Sequence, residues 1–158
     1  MSYQPPVRNI LFSMDAVNQC LQHYDYLGSD VNRELIATFL DEAAKFSVRE
    51  LLSVNASGDE EGVDFNNGQV RAPAGFGPAY RLYVEGGWSA LAQPPQYGGQ
   101  GLPVSLSLMV QLWQACNQSW YMYAVLGEGA CATLSAYGSE QQKARYLPTL
   151  VSGEWTGT

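Results

Sequence analysis

A helical junction close to the end of the chain constrains the fold more than any other feature. Gly138 suits the end of one helix, because glycine accepts the left-handed conformation common at helix ends. Ser139 and Gln142 have the spacing of a capping box, which predicts that the next helix begins here. Glu140 adds a negative charge to its first turn, and Pro148 is expected to end this helix or begin another. Successive helices are therefore predicted for this region.

Another predicted helix, from Asp30 to Leu52, has the clearest amphipathic pattern in the chain. Its apolar side chains recur at helical spacing, and its charged side chains lie off that face. Asp30 is the expected N-cap, and Glu34 places a negative charge in the first turn, where the helix dipole favours it. This pattern predicts a helix with one buried and one solvated face.

The beginning of the chain predicts an extended segment followed by a short helix. Residues 1–12 are expected to be extended, because Pro5 and Pro6 block a helix. A helix is then predicted from Met14 to Tyr26, where apolar residues recur on one face.

Residues 53–78 are rich in glycine, asparagine and aspartate, which predicts a loop. Within it, residues 63–71 predict a small hairpin with its turn at Asn67 and Gly68. The acidic residues between positions 59 and 64 lack the ligand spacing of an EF-hand, so a solvated loop is favoured over a calcium site. A short helix is expected from Pro78 to Glu85.

Two longer helices are predicted before the junction. The first runs from Pro103 to about Asn117. Ser119 is the expected cap of the second, which runs from Trp120 to Tyr137. This second helix is apolar nearly all round, so it is predicted to be buried at the centre of the fold. The inward-facing residues expected on the first helix are Met109, Leu112, Trp113 and Cys116.

Part of the second helix imitates a dinucleotide-binding motif. An apolar run that begins at Tyr121 is followed by Gly127, Gly129 and a small residue, as in a strand and its glycine-rich loop. A true motif lies in a βαβ unit and has an acidic residue about 20 positions further on, at the end of a second strand. The capped polar helix at Ser139 follows instead, so a buried helix with small residues is favoured over a Rossmann fold.

Composition limits the partners of the chain. Residues 1–158 suffice for one domain with a core, and the 46% of hydrophobic against 15% of charged residues predicts a surface that another domain or protein covers. The net charge of −7 disfavours nucleic acid and anionic membranes. No signal peptide or membrane span is predicted, and a cytoplasmic location is expected. The three cysteines and the single histidine do not have the spacing of a metal site, and the cysteines are expected to be free thiols. These residues are Cys20, His23, Cys116 and Cys131.

Two segments occur in an order that is typical of one enzyme family. The segment 137–154 contains YGSEQQKARYLP, and the segment 88–103 contains PPQYGGQGLP. Both resemble the corresponding strings in the N-terminal domain of acyl-CoA dehydrogenases. The run 3–12 and the insertion from Gly58 to Val84 resemble the larger bacterial members, which include 3-methylmercaptopropionyl-CoA dehydrogenases.

The resemblance implies an all-α helical bundle with an extended N-terminus and a hairpin-bearing loop insertion. It also implies that the chain is the N-terminal domain of a longer FAD-dependent enzyme, with a middle β domain and a C-terminal helical domain. In that family, FAD lies between those two domains and supplies the redox chemistry, and a glutamate of the C-terminal region removes the α-proton of the acyl-CoA thioester. The flavin-contacting string is expected directly after Thr158. No catalytic, cofactor-binding or metal residue is therefore assigned to this chain, which is expected to be inactive alone.

The resemblance also implies which residues bind the acyl group. In the family, the helix before the junction walls the acyl cavity, and plain core packing is the alternative for each residue. Positions 122, 125, 126 and 129 share one helical face. Met122 is adaptable, and Gly129 leaves room for a substrate. The residues that match the acyl-binding positions are Tyr121, Met122, Val125, Leu126 and Gly129.

The partners implied by the resemblance are an acyl-CoA substrate, electron-transfer flavoprotein or a similar acceptor, and the remaining domains of the same chain. A homodimer or homotetramer is also implied. Two other functions remain open at this stage. The same scaffold occurs in acyl-CoA oxidases and flavin monooxygenases, and an apolar helical domain of this kind is also compatible with a non-catalytic interaction module.

Overall fold

The computed structural model describes residues 3–107 and 111–157, and its architecture is an all-α bundle with one small hairpin, which confirms the predicted fold class. Turns of π-helix lie at Ser13–Val17 and Ser47–Leu51, and 3₁₀ turns at Trp88–Ala90 and Pro95–Tyr97. The α-helices in chain order are α1 (Val7–Phe12), α2 (Cys20–Tyr26), α3 (Arg33–Phe46), α4 (Asn55–Glu61), α5 (Phe76–Glu85), α6 (Val104–Ser107), α7 (Gln111–Cys116), α8 (Gln118–Tyr137) and α9 (Glu140–Val151).

The beginning of the chain is more helical than predicted. The extended conformation expected for residues 1–12 is wrong from Val7 onwards, where α1 begins. Pro5 and Pro6 precede that helix, and a helix start tolerates proline because the first amides need no intrahelical partner. The helix predicted from Met14 to Tyr26 is also divided, because Gln19 has a φ of 50° and separates the π-helical turn from α2.

Both predicted N-caps are replaced by asparagines close by. Asn32 rather than Asp30 caps α3, and its side-chain oxygen accepts a hydrogen bond from the Leu35 amide at 2.9 Å. Asn117 rather than Ser119 caps α8. Each asparagine has the extended backbone that a cap residue needs, so the local path of the chain selects the cap among several suitable residues.

The glycine-rich insertion contains the predicted hairpin and one unpredicted helix. Strands β1 (Asp64–Asn66) and β2 (Gln69–Arg71) pair antiparallel, with the turn at Asn67 and Gly68 as expected. Helix α4 occupies residues expected to form a loop, and its Gly58 packs so closely on Phe76 that a Cβ atom there would lie 2.4 Å from the ring. This tertiary contact stabilises a helix that local composition disfavours.

The helix predicted from Pro103 to Asn117 is described as α6 and α7, while residues 108–110, and with them Met109, lie outside the described residues. The three other residues expected to face inward on it are buried. Helix α5 begins at Phe76, so Pro78 lies inside its first turn.

The predicted helical junction at residues 138–148 is confirmed in part. Ser139 and Gln142 form the predicted capping box, and Lys143 pairs with Glu140 at 3.0 Å. Gly138, however, is extended rather than left-handed, with a φ of −68°. Pro148 neither ends nor begins a helix, because α9 continues past it to Val151. Buried apolar side chains on both sides of the proline hold that last turn in place.

The core is built around a cluster of aromatic rings. Trp113 packs edge-on against Tyr83 and Trp88, with ring centroids 5.4 and 5.2 Å apart. Trp120 packs against Tyr83 at 5.7 Å and donates its indole N–H to the Phe76 carbonyl. Because aromatic pairs prefer such edge-to-face arrangements, the cluster fixes how α5, α7 and α8 cross. Ala90, Cys131, Leu147, Leu150 and Val151 form a smaller second core.

Side chains of α7 and of residue 117 bind backbone carbonyls of α3 and the π-helical turn after it. The indole of Trp113 donates to the Ala43 carbonyl at 3.2 Å, and the Asn117 amide donates to the Leu51 carbonyl at 3.2 Å. Asn117 also accepts a hydrogen bond from the Trp120 amide at 2.9 Å. The buried side chain of Asn117 therefore joins the π-helical turn to the start of α8.

We expect Asn117→Ala to lower the free energy of unfolding by about 2 to 4 kcal/mol, because it removes a helix cap and leaves the Leu51 carbonyl without its side-chain donor. The matched control, Ser119→Ala, removes the hydroxyl that the sequence pattern favoured as the cap, and we expect a change within about 0.5 kcal/mol. Urea unfolding followed by tryptophan fluorescence measures both variants. Equal losses in the two variants would contradict the assignment of the cap.

Candidate functional site

Helix α8 is buried along one side only. Trp120, Ala124 and Cys131 lie on the buried side, which packs against the rest of the bundle. The opposite side carries apolar residues that remain accessible, with Met122 46% and Leu126 39% exposed. The predicted helix at this position is confirmed, and a Rossmann fold is excluded. The prediction that the helix is buried on all sides is wrong.

The residues predicted to bind an acyl group fall into two groups on this helix. Met122, Val125, Leu126 and Gly129 share the accessible side, which we call the open face of α8. Tyr121 lies at its edge and packs against the main core, and burial raises the pKa of its phenol. A Cβ atom at Gly129 would meet no other atom within 4 Å, so there is free space beside the backbone there.

The last described residues run past the same helix. Gly157 approaches it so closely that a Cβ atom there would lie 2.3 Å from the Ala130 side chain and 3.2 Å from the Leu126 carbonyl oxygen. Thr156 contributes to a small apolar cavity of about 170 Å³ that is also lined by Trp120 and Tyr123. Residues 156 and 157 thus lie next to the open face of α8.

The glycine-rich segment between residues 93 and 103 packs tightly on the 3₁₀ turn before it. Gly98 has a φ of 92°, which strains other residues, and a Cβ atom at Gly99 would lie 2.0 Å from the Gln93 carbonyl oxygen. The Gln100 backbone N–H donates to the Ala90 carbonyl at 2.8 Å. These contacts explain why the glycines are needed at this place, and they hold residues 98–102 against residues 90–93.

One charged residue interrupts the otherwise uncharged helix α8. Glu128 is half-buried, and burial raises the pKa of its carboxyl above the ordinary value. Its charge also raises the pKa of Tyr83, Tyr121 and Cys131, for which burial is the larger cause. Glu128 was not among the predicted site residues, although a lone carboxylate in a 20-residue apolar helix is a visible sequence signal.

The cysteine thiols have structural rather than reactive surroundings. Burial raises the pKa of Cys116 and of Cys131 to about 11, so both remain protonated at neutral pH. The Cys116 thiol donates to the Ser47 carbonyl at 3.1 Å. The three cysteines are free, as predicted. Within residues 3–107 and 111–157, no group of three or more histidine, cysteine, aspartate or glutamate side chains is arranged to hold a metal ion.

Glu128→Gln is expected to stabilise the protein at alkaline pH and to have little effect at acidic pH. Because the pKa of Glu128 is raised in the folded state, the folded state binds a proton more tightly than the unfolded state, and ionisation at rising pH costs stability. The wild type should therefore lose stability relative to the variant as the pH rises through that pKa. Urea unfolding at pH 4 and pH 8 measures the difference. A variant that is equally destabilised at both pH values would contradict this assignment.

Among the described residues, no helix is both long and apolar enough to cross a membrane. The geometry as a whole defines a class: a helical bundle with an aromatic core and one apolar helix face left open, and not an α/β nucleotide-binding domain. The model of the family described as "Acyl-CoA dehydrogenase, N-terminal domain" matches residues 34–154. The chain belongs to the acyl-CoA dehydrogenase family.

Two characterised relatives agree with this assignment. A 3-methylmercaptopropionyl-CoA dehydrogenase of Ruegeria pomeroyi is 34% identical over 164 residues, which span 100% of this chain and 27% of the relative. A butyryl-CoA dehydrogenase of Syntrophomonas wolfei is 29% identical over 171 residues, which span 99% of this chain and 27% of the relative. The predicted family and the resemblance to its larger bacterial members are confirmed, and the chain spans 27% of the length of these relatives.

Proposed function

We propose that this chain is the N-terminal helical domain of an FAD-dependent acyl-CoA dehydrogenase, and that the open face of α8 forms part of the wall of its acyl cavity. The observation that carries the proposal is the accessible apolar side of an otherwise packed central helix. Exposing Met122 and Leu126 to water gains nothing for an isolated domain, whereas an apolar substrate chain and neighbouring domains would cover them.

The cavity beside α8 does not suit FAD. The cavity of about 290 Å³ beside α8 has a carboxylate, Glu128, in its wall, and none of its described lining residues is basic. A flavin dinucleotide carries an anionic pyrophosphate that needs basic side chains or the N-terminus of a helix. We therefore propose that FAD, the catalytic glutamate and the CoA-binding residues belong to parts of the protein outside residues 1–158. FAD, when bound there, accepts the hydride in α,β-dehydrogenation of the acyl thioester.

Within this proposal, residues of this chain position the substrate. The unbranched side chain of Met122 adapts to the shape of a flexible acyl chain. Gly129 leaves space beside the helix backbone. The size of the side chain at this position therefore determines how long an acyl chain the cavity accepts. Tyr121, at the edge of the face, is more deeply packed, and we assign it to the rim of the cavity wall.

The proposed partners follow from the same assignment. They are an acyl-CoA substrate, electron-transfer flavoprotein or a similar acceptor, and further copies of the chain in a cytoplasmic homo-oligomer. Support comes from apolar side chains left exposed elsewhere on the domain, such as Tyr26 on α2. Transfer of electrons to the flavoprotein acceptor with little reaction with oxygen is the result that distinguishes a dehydrogenase from an acyl-CoA oxidase or a flavin monooxygenase.

Gly129→Leu in the protein expressed from its complete reading frame should shift the preference towards shorter acyl-CoA substrates. The added side chain fills space that the structure leaves empty, so we expect kcat/KM for the longest accepted chain to fall by about tenfold or more, with a smaller effect on the shortest. Steady-state kinetics with a series of saturated acyl-CoA thioesters measures the shift.

Ala136→Leu is the matched control for this substitution. It adds a comparable side chain at an exposed position of the same helix, seven residues and roughly 10 Å further along the axis. We expect its chain-length profile to equal that of the wild type. An unchanged profile in Gly129→Leu would remove Gly129 from the acyl cavity.

The 158-residue chain alone should purify without a flavin and show no dehydrogenase activity. Absorbance spectroscopy after incubation with excess FAD and gel filtration measures this, with the protein from the complete reading frame as the positive control. Stoichiometric retention of FAD by the short chain would overturn the proposal that FAD is held elsewhere.

A further inference from the structure

The hairpin of β1 and β2 has one apolar and one polar face. Side chains alternate along a strand, and residues directly opposite each other on paired strands lie on the same side. Phe65 pairs with Val70 on one side, and Asp64 pairs with Arg71 on the other. Val63 precedes Phe65 by two residues, which is the spacing of the same side. We call Val63, Phe65 and Val70 the apolar face of the hairpin.

The rest of the described domain leaves this apolar face uncovered. Its three side chains are 60 to 71% exposed, and the residues of both strands are exposed throughout. Within the described residues, no hydrogen bond or ion pair joins residues 63–72 to another part of the chain. A two-stranded hairpin by itself is at best marginally stable in water, and packing against another element stabilises it. The apolar face therefore has the properties of a docking surface.

The base of the hairpin is fixed to the bundle. The Ala74 backbone N–H donates to the Glu61 carboxylate at 3.0 Å, which joins the two ends of the insertion. Gly75 packs so closely on Val54 that a Cβ atom there would lie 2.5 Å from the valine side chain. A fixed base lowers the conformational entropy that is lost when a partner binds. The insertion therefore presents its apolar face in a defined direction.

The last described residues pass beside this hairpin. Ala72 follows Val70 at the spacing of the same side, and it lines the apolar cavity of about 170 Å³ to which Thr156 also contributes. The Tyr80 hydroxyl donates to the Gly153 carbonyl at 2.9 Å, which fixes the segment before Thr156 to α5. Residues that continue from this segment therefore emerge next to the apolar face.

We propose that the apolar face of the hairpin packs on the part of the same chain that follows residue 158 in the complete protein. This inference rests on the proposed function, in which further domains follow this one. The matching family model describes an N-terminal domain, and the chain spans 27% of the length of its relatives. A domain tethered beside the face has a far higher effective concentration there than a second copy of the protein. The hairpin thereby joins this domain to the one that follows.

The same contact relates the hairpin to the open face of α8. Phe76, at the start of α5, packs edge-on against Tyr123 of α8, with ring centroids 5.9 Å apart. Tyr123 is exposed and follows Met122 of the open face in sequence. A domain that packs on the hairpin is therefore also positioned to cover this end of the acyl wall.

Thiol labelling of the protein expressed from its complete reading frame tests whether the face is covered. Val70→Cys places a thiol on the apolar face, and Gln69→Cys is the matched control on the polar face of the same strand. Peptide mass spectrometry after treatment with N-ethylmaleimide gives a rate for each thiol. We expect Val70→Cys to react about tenfold or more slowly than Gln69→Cys, because a packed domain excludes the reagent.

Photo-crosslinking identifies what covers the face. Phe65→p-benzoylphenylalanine keeps an aromatic ring at this position, and irradiation links it to the group that packs on it. We expect a product with the mass of one chain on a denaturing gel, in which the linked peptide lies beyond residue 158. A product with the mass of two chains, or a link only to residues 1–158, overturns the proposal. This variant also tests the proposal if Val70→Cys does not fold.

Flavin content and acyl-CoA oxidation are measured on the same preparations, and circular dichroism confirms that each variant is folded. Equal labelling rates in a protein that holds flavin and oxidises acyl-CoA overturn this inference and leave the proposed function standing. A complete protein that neither holds flavin nor oxidises acyl-CoA overturns the proposed function, and this inference with it.

Discussion

The bundle depends on hydrogen bonds between one helix and the backbone of another. The carbonyls of residues 43, 47 and 51, spaced by four along α3 and its π-helical extension, each accept a hydrogen bond from a side chain outside that helix. Such bonds are directional, so they define the register between the two elements as well as their contact. The three donors are Trp113, Cys116 and Asn117.

This anchoring determines what α8 can present. Asn117 begins α8 directly after α7, and Trp120 directs the first turn of α8 into the aromatic cluster. One side of α8 therefore packs against the bundle, and the apolar side chains on its other side cannot reach the same core. The open face is thus a consequence of how tightly the other side is held. The chain spans 27% of the length of its relatives. In the proposed function, the acyl chain of the substrate and the remaining domains cover this open face.

Much of the fold was predictable because its signals are local. The capping box at Ser139, the hairpin turn at Asn67 and the amphipathic pattern of α3 each depend on residues a few positions apart, and each is present in the structure. The wrong predictions also concerned short segments, but contacts with residues outside each segment determined its structure. Helix α4 forms because Gly58 packs on Phe76, and α9 continues through Pro148 because apolar packing holds its last turn.

For the candidate site, the sequence by itself determined that four of the five residues matched to the acyl-binding positions share a helical face, because helical periodicity follows from spacing alone. It could not determine which side of α8 would remain open, because a helix that is apolar nearly all round has no polar face to mark its accessible side. Nor could it show that Glu128 lines a cavity together with segments more than 20 residues away. Those features arise only when α5, α6 and α7 are packed around α8, because accessibility and pairing are properties of the neighbours and not of the residue.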